Sequence, residues 1–312
     1  MYPDITTDIP ALNVKHDNRH KLDGSELARE STAYMIEIPE ENIGGFLYTW
    51  VNGLGKAGAA VTLFGAGVGD TPIFELCDDI PVPAEMDFYD WHVGGLHKQL
   101  KEPLKTASLT FKSERVKVEY HFEANHPAYA YSTHENGCPQ WIANDRFEQQ
   151  GRAHGKVEFD GRTIEFDGYG QRDHSWGTRE WAVNQHWKWV HAQAGPNLSL
   201  HFWELFALGK SHLCGFVCKE GEMAQVVAVD TDFSCNKGLS PKSVSAKITD
   251  SKGRITDLSA TAYHAFPFPV HELITLFECP LNLSIDGVDG GGWMEMMWPN
   301  DLIGYMKDKT ID

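Results

Sequence analysis

The sequence carries no Cys-x-x-Cys pair, no His-Glu-x-x-His and no His-x-His with a distal carboxylate, so no local pattern supplies metal ligands in the usual way. It has no Walker loop and no Gly-x-Ser-x-Gly elbow, which removes the common nucleotide and serine-hydrolase signatures. Gly65-Ala66-Gly67-Val68-Gly69 falls short of a full G-x-G-x-x-G and precedes no helical pattern. Neither a cofactor nor a metal is therefore expected. Positive charge is scarce: 27 Lys and Arg against 44 Asp and Glu give a net charge of -17, which repels phosphate backbones and anionic surfaces. Nucleic acid is not an expected partner. No run approaches the ~20 apolar residues of a membrane span, and the N-terminal stretch lacks the basic and apolar regions of a secretory signal. A cytoplasmic protein without stable membrane insertion is expected, and a homodimer remains open. Its 6 cysteines then read as buried thiols and not as disulfides.

Long helical periodicity is missing too. What fills the chain instead is short, β-branched or aromatic segments separated by turn residues, beginning near Glu30 with TAYMIEIP and GFLYTWVN. In RVKVEYHF, Val116, Val118, Tyr120 and Phe122 alternate with Arg115, Lys117, Glu119 and His121, the period of a strand with one dry face. Asp160-Gly161 separates two alternating runs and marks a hairpin. A second series of strands runs from Trp187 to Trp298. Strand after strand at hairpin spacing predicts an all-β protein of two antiparallel barrels or sandwiches. The expected division is a polar arm over 1–30, one domain over 31–170 and another over 171–312, with the junction near Gly168 to Trp176. Short helical turns are expected at Asp145 to Gln150 and Thr178 to Asn184.

The densest chemistry lies in Gly168-Tyr169-Gly170-Gln171-Arg172-Asp173-His174-Ser175-Trp176-Gly177-Thr178-Arg179. Acid, imidazole, hydroxyl and guanidinium stand beside large aromatic faces between glycines that permit tight turns. An acid in a low-dielectric pocket can protonate a carbon or oxygen centre, and indole faces stabilise the developing cation. The alternative is structural: Asp173 pairs with Arg172 or Arg179 and Trp176 serves as packing. Further on, Trp189 lies on one face of a strand, and on the next strand His201 and Trp203 share a face opposite Glu204. If the Glu204 face lines the interior, Glu204 is a carboxylate in an apolar enclosure; if the other does, the cavity is aromatic with an imidazole in it. For metal binding only convergence in space, for example of His121 with His126 or His186 with His191, is left open.

From Arg146-Phe147-Glu148-Gln149 through GKVEFDGRTIEFDGYG to Arg172-Asp173-His174-Ser175-Trp176-Gly177 and Arg179, the chain resembles the carotenoid hydratase (hydroxyneurosporene synthase) superfamily of double lipocalin-like proteins, with its AttH-like and kievitone hydratase branches. The resemblance implies two lipocalin-like antiparallel β-barrels and cofactor-free chemistry on an apolar molecule, commonly addition of water to a double bond. It places the family's Asp-His pair on Asp173 and His174, its lead-in tyrosine on Tyr169, its tryptophan on Trp176 and its arginine on Arg179. Asp173 is then expected as proton donor, His174 as its positioning group, and Trp176 and Trp203 as the cation-stabilising wall. A hydratase, dehydratase or isomerase of a terpenoid, steroid or aromatic compound is the leading expectation. A non-catalytic carrier of an apolar ligand and a pericyclase are the alternatives.

Overall fold

The structure is a computed structural model that describes residues 5–312. Strands hold 63% of the chain and helical turns 7%, which fixes the class as all-β. In chain order the first twelve strands are β1 (Thr6–Thr7), β2 (Ala28–Ile38), β3 (Ile43–Asn52), β4 (Lys56–Phe64), β5 (Ile73–Pro81), β6 (Asp90–Val93), β7 (Leu96–Glu102), β8 (Thr106–Lys112), β9 (Val116–Ala124), β10 (Tyr129–Ala130), β11 (Asp145–Phe159) and β12 (Arg162–Thr178). They are followed by β13 (Asn184–Gln193), β14 (Ser199–Ala207), β15 (Lys210–Lys219), β16 (Glu222–Cys235), β17 (Pro241–Asp250), β18 (Ile255–Ala262), β19 (Phe266–His271), β20 (Ile274–Ile285) and β21 (Val288–Pro299), with α1 (Asn300–Met306) after them. Among the described residues no helix is long and apolar enough to cross a membrane.

The chain forms two compact units, and both have the barrel-like antiparallel sheet expected of a lipocalin-like fold. The first comprises residues 11–130 and 142–179. Its sheet runs β5-β4-β3-β2-β12-β11-β9-β8-β7-β6, with β10 on β11. Every second residue points inward, so Val116, Val118, Tyr120 and Phe122 of β9 enter a core with Tyr34, Leu47, Val61, Trp91 and Val157. Each such fully buried side chain contributes roughly 1.5 to 3 kcal/mol relative to exposure. Trp91 is buried without an orphaned donor because its Nε1 donates to Thr49 Oγ1 at 2.9 Å, and Thr49 donates onward to the Gly58 carbonyl at 2.8 Å.

Among the described residues the second unit comprises 5–10, 131–141 and 180–312. Its sheet runs β1-β16-β15-β14-β13-β21-β20-β18-β17, with β19 on β20 and a further pairing of β16 with β17. Val190, Phe202, Val217, Val244, Leu258 and Met294 lead its core. All six cysteines are thiols and five are buried.

Several sequence expectations change here. Asp145 to Gln150 opens β11 instead of forming a helical turn, because Phe147 and Gln149 alternate into the barrel opposite His174 and Arg172. The segment Gly168 to Trp176 is the interior of one continuous strand, and the passage to the second unit comes at Arg179/Glu180. Gly170 serves close packing and not a turn: a Cβ there would lie 2.6 Å from the Ala153 Cβ and 3.0 Å from the Tyr120 hydroxyl. The polar arm is not loose from residue 11 onward, since Asp17 is 1% exposed and Leu12 and Leu22 pack on Leu104, Phe147 and Trp176. Residues 1–4 of that arm lie outside the described residues.

The β11–β12 hairpin closes as expected through Asp160 and Gly161, at φ 49° and 74°. Positive φ at both central residues is the I′ geometry whose twist matches the flanking strands. Gly161→Val places a β-branched residue in that region, and we expect a loss of about 1 to 2 kcal/mol in urea unfolding. An unchanged midpoint would show that the turn does not set the register.

Candidate active site

Strand alternation decides which of the candidate groups meet. On β12, Arg172, His174 and Trp176 point into the first unit, while Tyr169, Gln171, Asp173 and Ser175 share the opposite face. Asp173 and His174, adjacent in sequence, therefore cannot serve one pocket of this barrel. Across the sheet Arg172 is opposite Tyr34 and Gln149, His174 is opposite Thr32 and Phe147, and Trp176 is opposite Glu30. Three strands thus bring a row of polar groups onto the inner wall.

Glu30 is the hub of that row. Its Oε1 accepts from His20 Nδ1 at 2.6 Å and from His174 Nε2 at 2.8 Å, and its Oε2 accepts from the His20 amide at 2.8 Å. Burial works to raise the Glu30 carboxyl, but the hydrogen bonds from His174 and His20 outweigh it and hold it below the usual carboxylate range. Because an ionised carboxylate can only accept, His174 carries its proton on Nε2. Its Nδ1 is then a lone pair, and it has no hydrogen-bond partner. Phe88, Phe147 and Trp176 surround the ring edge-on at 5.3 to 5.4 Å. Burial pushes the His174 imidazole down to about 4, against the pull of Glu30. His20 stacks on Trp176 at 3.8 Å, and its Nε2 lies 2.8 Å from Nδ1 of the half-buried His16. A chain of hydrogen bonds thus leads from the rim to His174.

Two further charges lie on the same interior. Lys98 is fully buried between Leu96 and Leu100 on β7, donates to Thr32 Oγ1 at 3.2 Å and sits 4.1 Å over the Phe88 ring. Burial pulls its ammonium down to about 7, opposed by Asp17 and Glu30. Arg172 forms a two-pronged pair with Asp17, Nη1 to Oδ1 at 2.8 Å and Nη2 to Oδ2 at 3.0 Å. Burial alone would raise the Asp17 carboxyl; Arg172, Lys98 and the Leu104 amide turn the shift downward. Tyr34, at 3.3 Å from Arg172 Nη1, is pushed up to about 12 by burial.

On the outer face Asp173 pairs with Arg146, Nη2 to Oδ2 at 2.9 Å, while Arg172 points inward to Asp17. Arg146 also binds Glu148 at 2.5 Å, and Glu148 lies directly opposite Asp173. Two facing carboxylates repel, and the bridging guanidinium offsets that repulsion. Arg179 is buried and donates to Ser175 Oγ. Tyr169 is half-buried, opposite Arg152.

The remaining candidates belong to the second unit. Trp189, His201 and Trp203 lie on the face of β13 and β14 turned away from its core, all buried. His201 donates from Nδ1 to the Val190 carbonyl at 3.0 Å and accepts from the Tyr131 hydroxyl at 2.9 Å. Glu204 is on the core side with Val190 and Phe202, but it is not an isolated carboxylate: Lys188 Nζ lies 2.7 Å from its Oε2. Trp203 belongs to the second unit and Trp176 to the first.

Among the described residues, His20, Glu30 and His174 place three ligand-type atoms within 4.8 Å of one another, as do the more exposed Asp90, His92 and His97. In the first group the two ring protons fill the space between the donors, and a cation would have to displace both. His92 and His97 stack at 3.8 Å across the β6–β7 hairpin, and their Nε2 atoms lie 3.3 and 2.7 Å from Asp90 Oδ1.

Two outcomes follow. Folding removes the neutral His174 from water, so its contribution is complete above pH 6.5 and is lost as the pH falls from there to about 4, by about 3 kcal/mol. His174→Gln keeps an Nε2 donor for Glu30 and should flatten that part of the pH-dependence of melting; identical slopes would refute the assignment. Asp173→Asn should lower stability by about 1 to 3 kcal/mol in denaturant unfolding, since it weakens the bridge through Arg146. A full loss of activity at unchanged stability would instead return Asp173 to the role of proton donor.

The solved structures that share this fold are distant in sequence. An AttH-type protein from Nitrosomonas europaea superposes with a TM-score of 0.65 at 14% identity, covering 94% of this chain and 98% of its own. Kievitone hydratase from Nectria haematococca gives 0.63 at 12% identity, with 94% and 95% covered. CghA gives 0.63 at 12% identity, with 88% of each chain covered. These likenesses carry the double-barrel fold expected from the motif. No curated protein matches the sequence. A family model matches residues 13–300, a span that includes the whole row from Asp17 to His174, and the chain belongs to that family, the domain of unknown function DUF7064.

Proposed function

We propose that the protein is a cofactor-independent acid–base enzyme of the hydratase, dehydratase or isomerase type, working on an apolar small molecule inside the first barrel. The observation that carries this reading is the Glu30–His174 dyad with a lone-pair nitrogen facing an aromatic box. A carboxylate on one imidazole nitrogen orients the ring and stabilises the imidazolium that forms when the other nitrogen takes a proton. An unpartnered, fully buried nitrogen costs about 1 to 3 kcal/mol, and at His174 it is coupled to a carboxylate on the ring's other nitrogen. Strongly shifted groups gathered in one enclosure also mark functional sites.

In the hydration direction, His174 Nδ1 takes a proton from water as the water oxygen bonds to one carbon of a double bond. Lys98, whose ammonium sits near its midpoint at neutral pH, gives a proton to the other carbon. The net change is addition of one water; His174 returns the Nδ1 proton to solvent water and Lys98 regains one from it, so both groups end as they began, while Glu30 on Nε2 stabilises the imidazolium in between. Dehydration runs the same steps backwards. Phe88, Phe147 and Trp176 supply apolar contact and stabilise positive charge at carbon. That the fold hosts a hydratase in kievitone hydratase supports the choice of reaction class.

The test begins with solvent extraction and mass spectrometry of natively purified protein, followed by incubation of the recovered compound class in heavy-oxygen water. Uptake of label or a mass change of one water is expected, with a rate that falls below about pH 4 as His174 gains its proton and above about pH 7 as Lys98 loses its own. His174→Gln should reduce the rate by about 10²- to 10⁴-fold. An unchanged compound with no label exchange would overturn the reading in favour of a carrier.

A further inference from the structure

We propose that Arg172 is the carboxylate-binding group of the first barrel, that its ligand is an apolar carboxylic acid, and that Asp17 of the chain itself occupies the position of that carboxylate in this structure. The proposal rests on the reading that the interior of the first barrel is the substrate site, and it names the substrate class.

The receptor is built without Asp17. Arg172 is held by the strands around it: its Nε and Nη2 donate to Gln149 Oε1 at 3.0 and 2.8 Å, and Nη1 donates to the Tyr34 hydroxyl at 3.3 Å. Tyr34, Phe122 and Phe147 place their rings 5.2 to 6.0 Å from its central carbon. The two N–H groups left over point together at one place, in the fork that matches a carboxylate. Asp17 fills it from outside the sheet, at the end of the single 3-10 turn Val14–Asp17. That turn is fastened at the barrel mouth by polar contacts that do not involve the fork: Asn18 to Asp87 and the Phe88 amide, and Arg19 to the Pro83 and Met86 carbonyls. A segment that packs over the mouth and places a carboxylate on a preformed guanidinium has the form of a competitor for an acid.

Charge and spacing agree. With Asp17 withdrawn, Arg172 and Lys98 face Glu30 alone, and the enclosure attracts an anion. The apolar wall of Phe88, Phe122, Phe147 and Trp176 receives the rest of such a molecule. His174 follows Arg172 by two residues on one face of β12, a separation of about 7 Å. An acid anchored at Arg172 therefore brings atoms some four to five bonds from its carboxylate beside His174 Nδ1.

The test compares dodecanoate with dodecanol as probes on the full-length protein, read by isothermal titration and so independent of turnover. Asp17→Asn keeps the shape of the side chain and removes its charge. Dodecanoate should bind this variant about 10- to 100-fold more tightly than it binds the wild type, with dodecanol unchanged, and adding Arg172→Gln should abolish the gain. A natively folded Asp17→Asn protein that binds the acid no better than the alcohol would overturn the proposal. Should Asp17→Asn fail to fold, hydrogen exchange of residues 13–24 in the wild type decides: dodecanoate, but not dodecanol, should speed it, and equal exchange would overturn the proposal. His174→Gln retains dodecanoate binding while losing turnover, so the ligand class and the reaction fail separately.

Discussion

A guanidinium inside a β-barrel must find its partners there. Arg172 is 2% exposed, and the effective penalty for taking such a group out of water is several kcal/mol. The sheet supplies Gln149 and Tyr34, directly opposite on the two neighbouring strands, and neither carries a formal negative charge. The compensating charge comes from Asp17, 155 positions earlier. This one requirement explains why a polar N-terminal stretch packs against the barrel at all. It also sets the electrostatics of the interior, because the same Asp17 holds the Lys98 ammonium up against burial and contributes to the His174 environment.

The β architecture was legible because it rests on local signals. Alternation in RVKVEYHF and the positive-φ pair at Asp160-Gly161 need no tertiary information to be read, and both stand in the structure as expected. The site was legible only in part. His174 and Trp176 were found because they lie in a dense motif, but so was Asp173, which period-2 alternation sends to the other face. The parity that puts Phe166 in the core also puts Arg172 and His174 there and keeps Asp173 out. Placing the domain junction near Gly168 to Trp176 hid that count. Lys98 had a readable signal as well, an inward position between Leu96 and Leu100. Glu30, His20 and Asp17 had none, since their partners lie 144, 10 and 155 residues away and nothing local distinguishes them from solvated charges.

The division of β12 into two faces also separates two kinds of chemistry. The outer face holds a network in which Arg146 answers both Glu148 and Asp173, so these carboxylates are tied to a guanidinium that does not give up its proton. On the inner face the counting comes out differently. Glu30 accepts three hydrogen bonds, yet His174 ends with an unused nitrogen in contact with aromatic rings only. An unused base in an apolar enclosure is costly to maintain, and stability alone would favour its replacement by an apolar side chain.

The Asp17 fork also bears on which acids the barrel admits. A carboxylate tethered to its receptor competes at an effective concentration in the millimolar range, so a short free acid with the same headgroup gains nothing from the exchange until it reaches that range itself. Each methylene that leaves water for the Phe88, Phe122 and Phe147 wall contributes about 0.8 kcal/mol, and roughly five of them raise affinity about a thousandfold. The segment therefore filters by hydrophobic size: the charge of the ligand is matched by Asp17, and only its apolar body tips the balance. A site built this way stays shut to small carboxylates while remaining open to long or polycyclic ones, which is the discrimination an acid–base dyad in an apolar box requires.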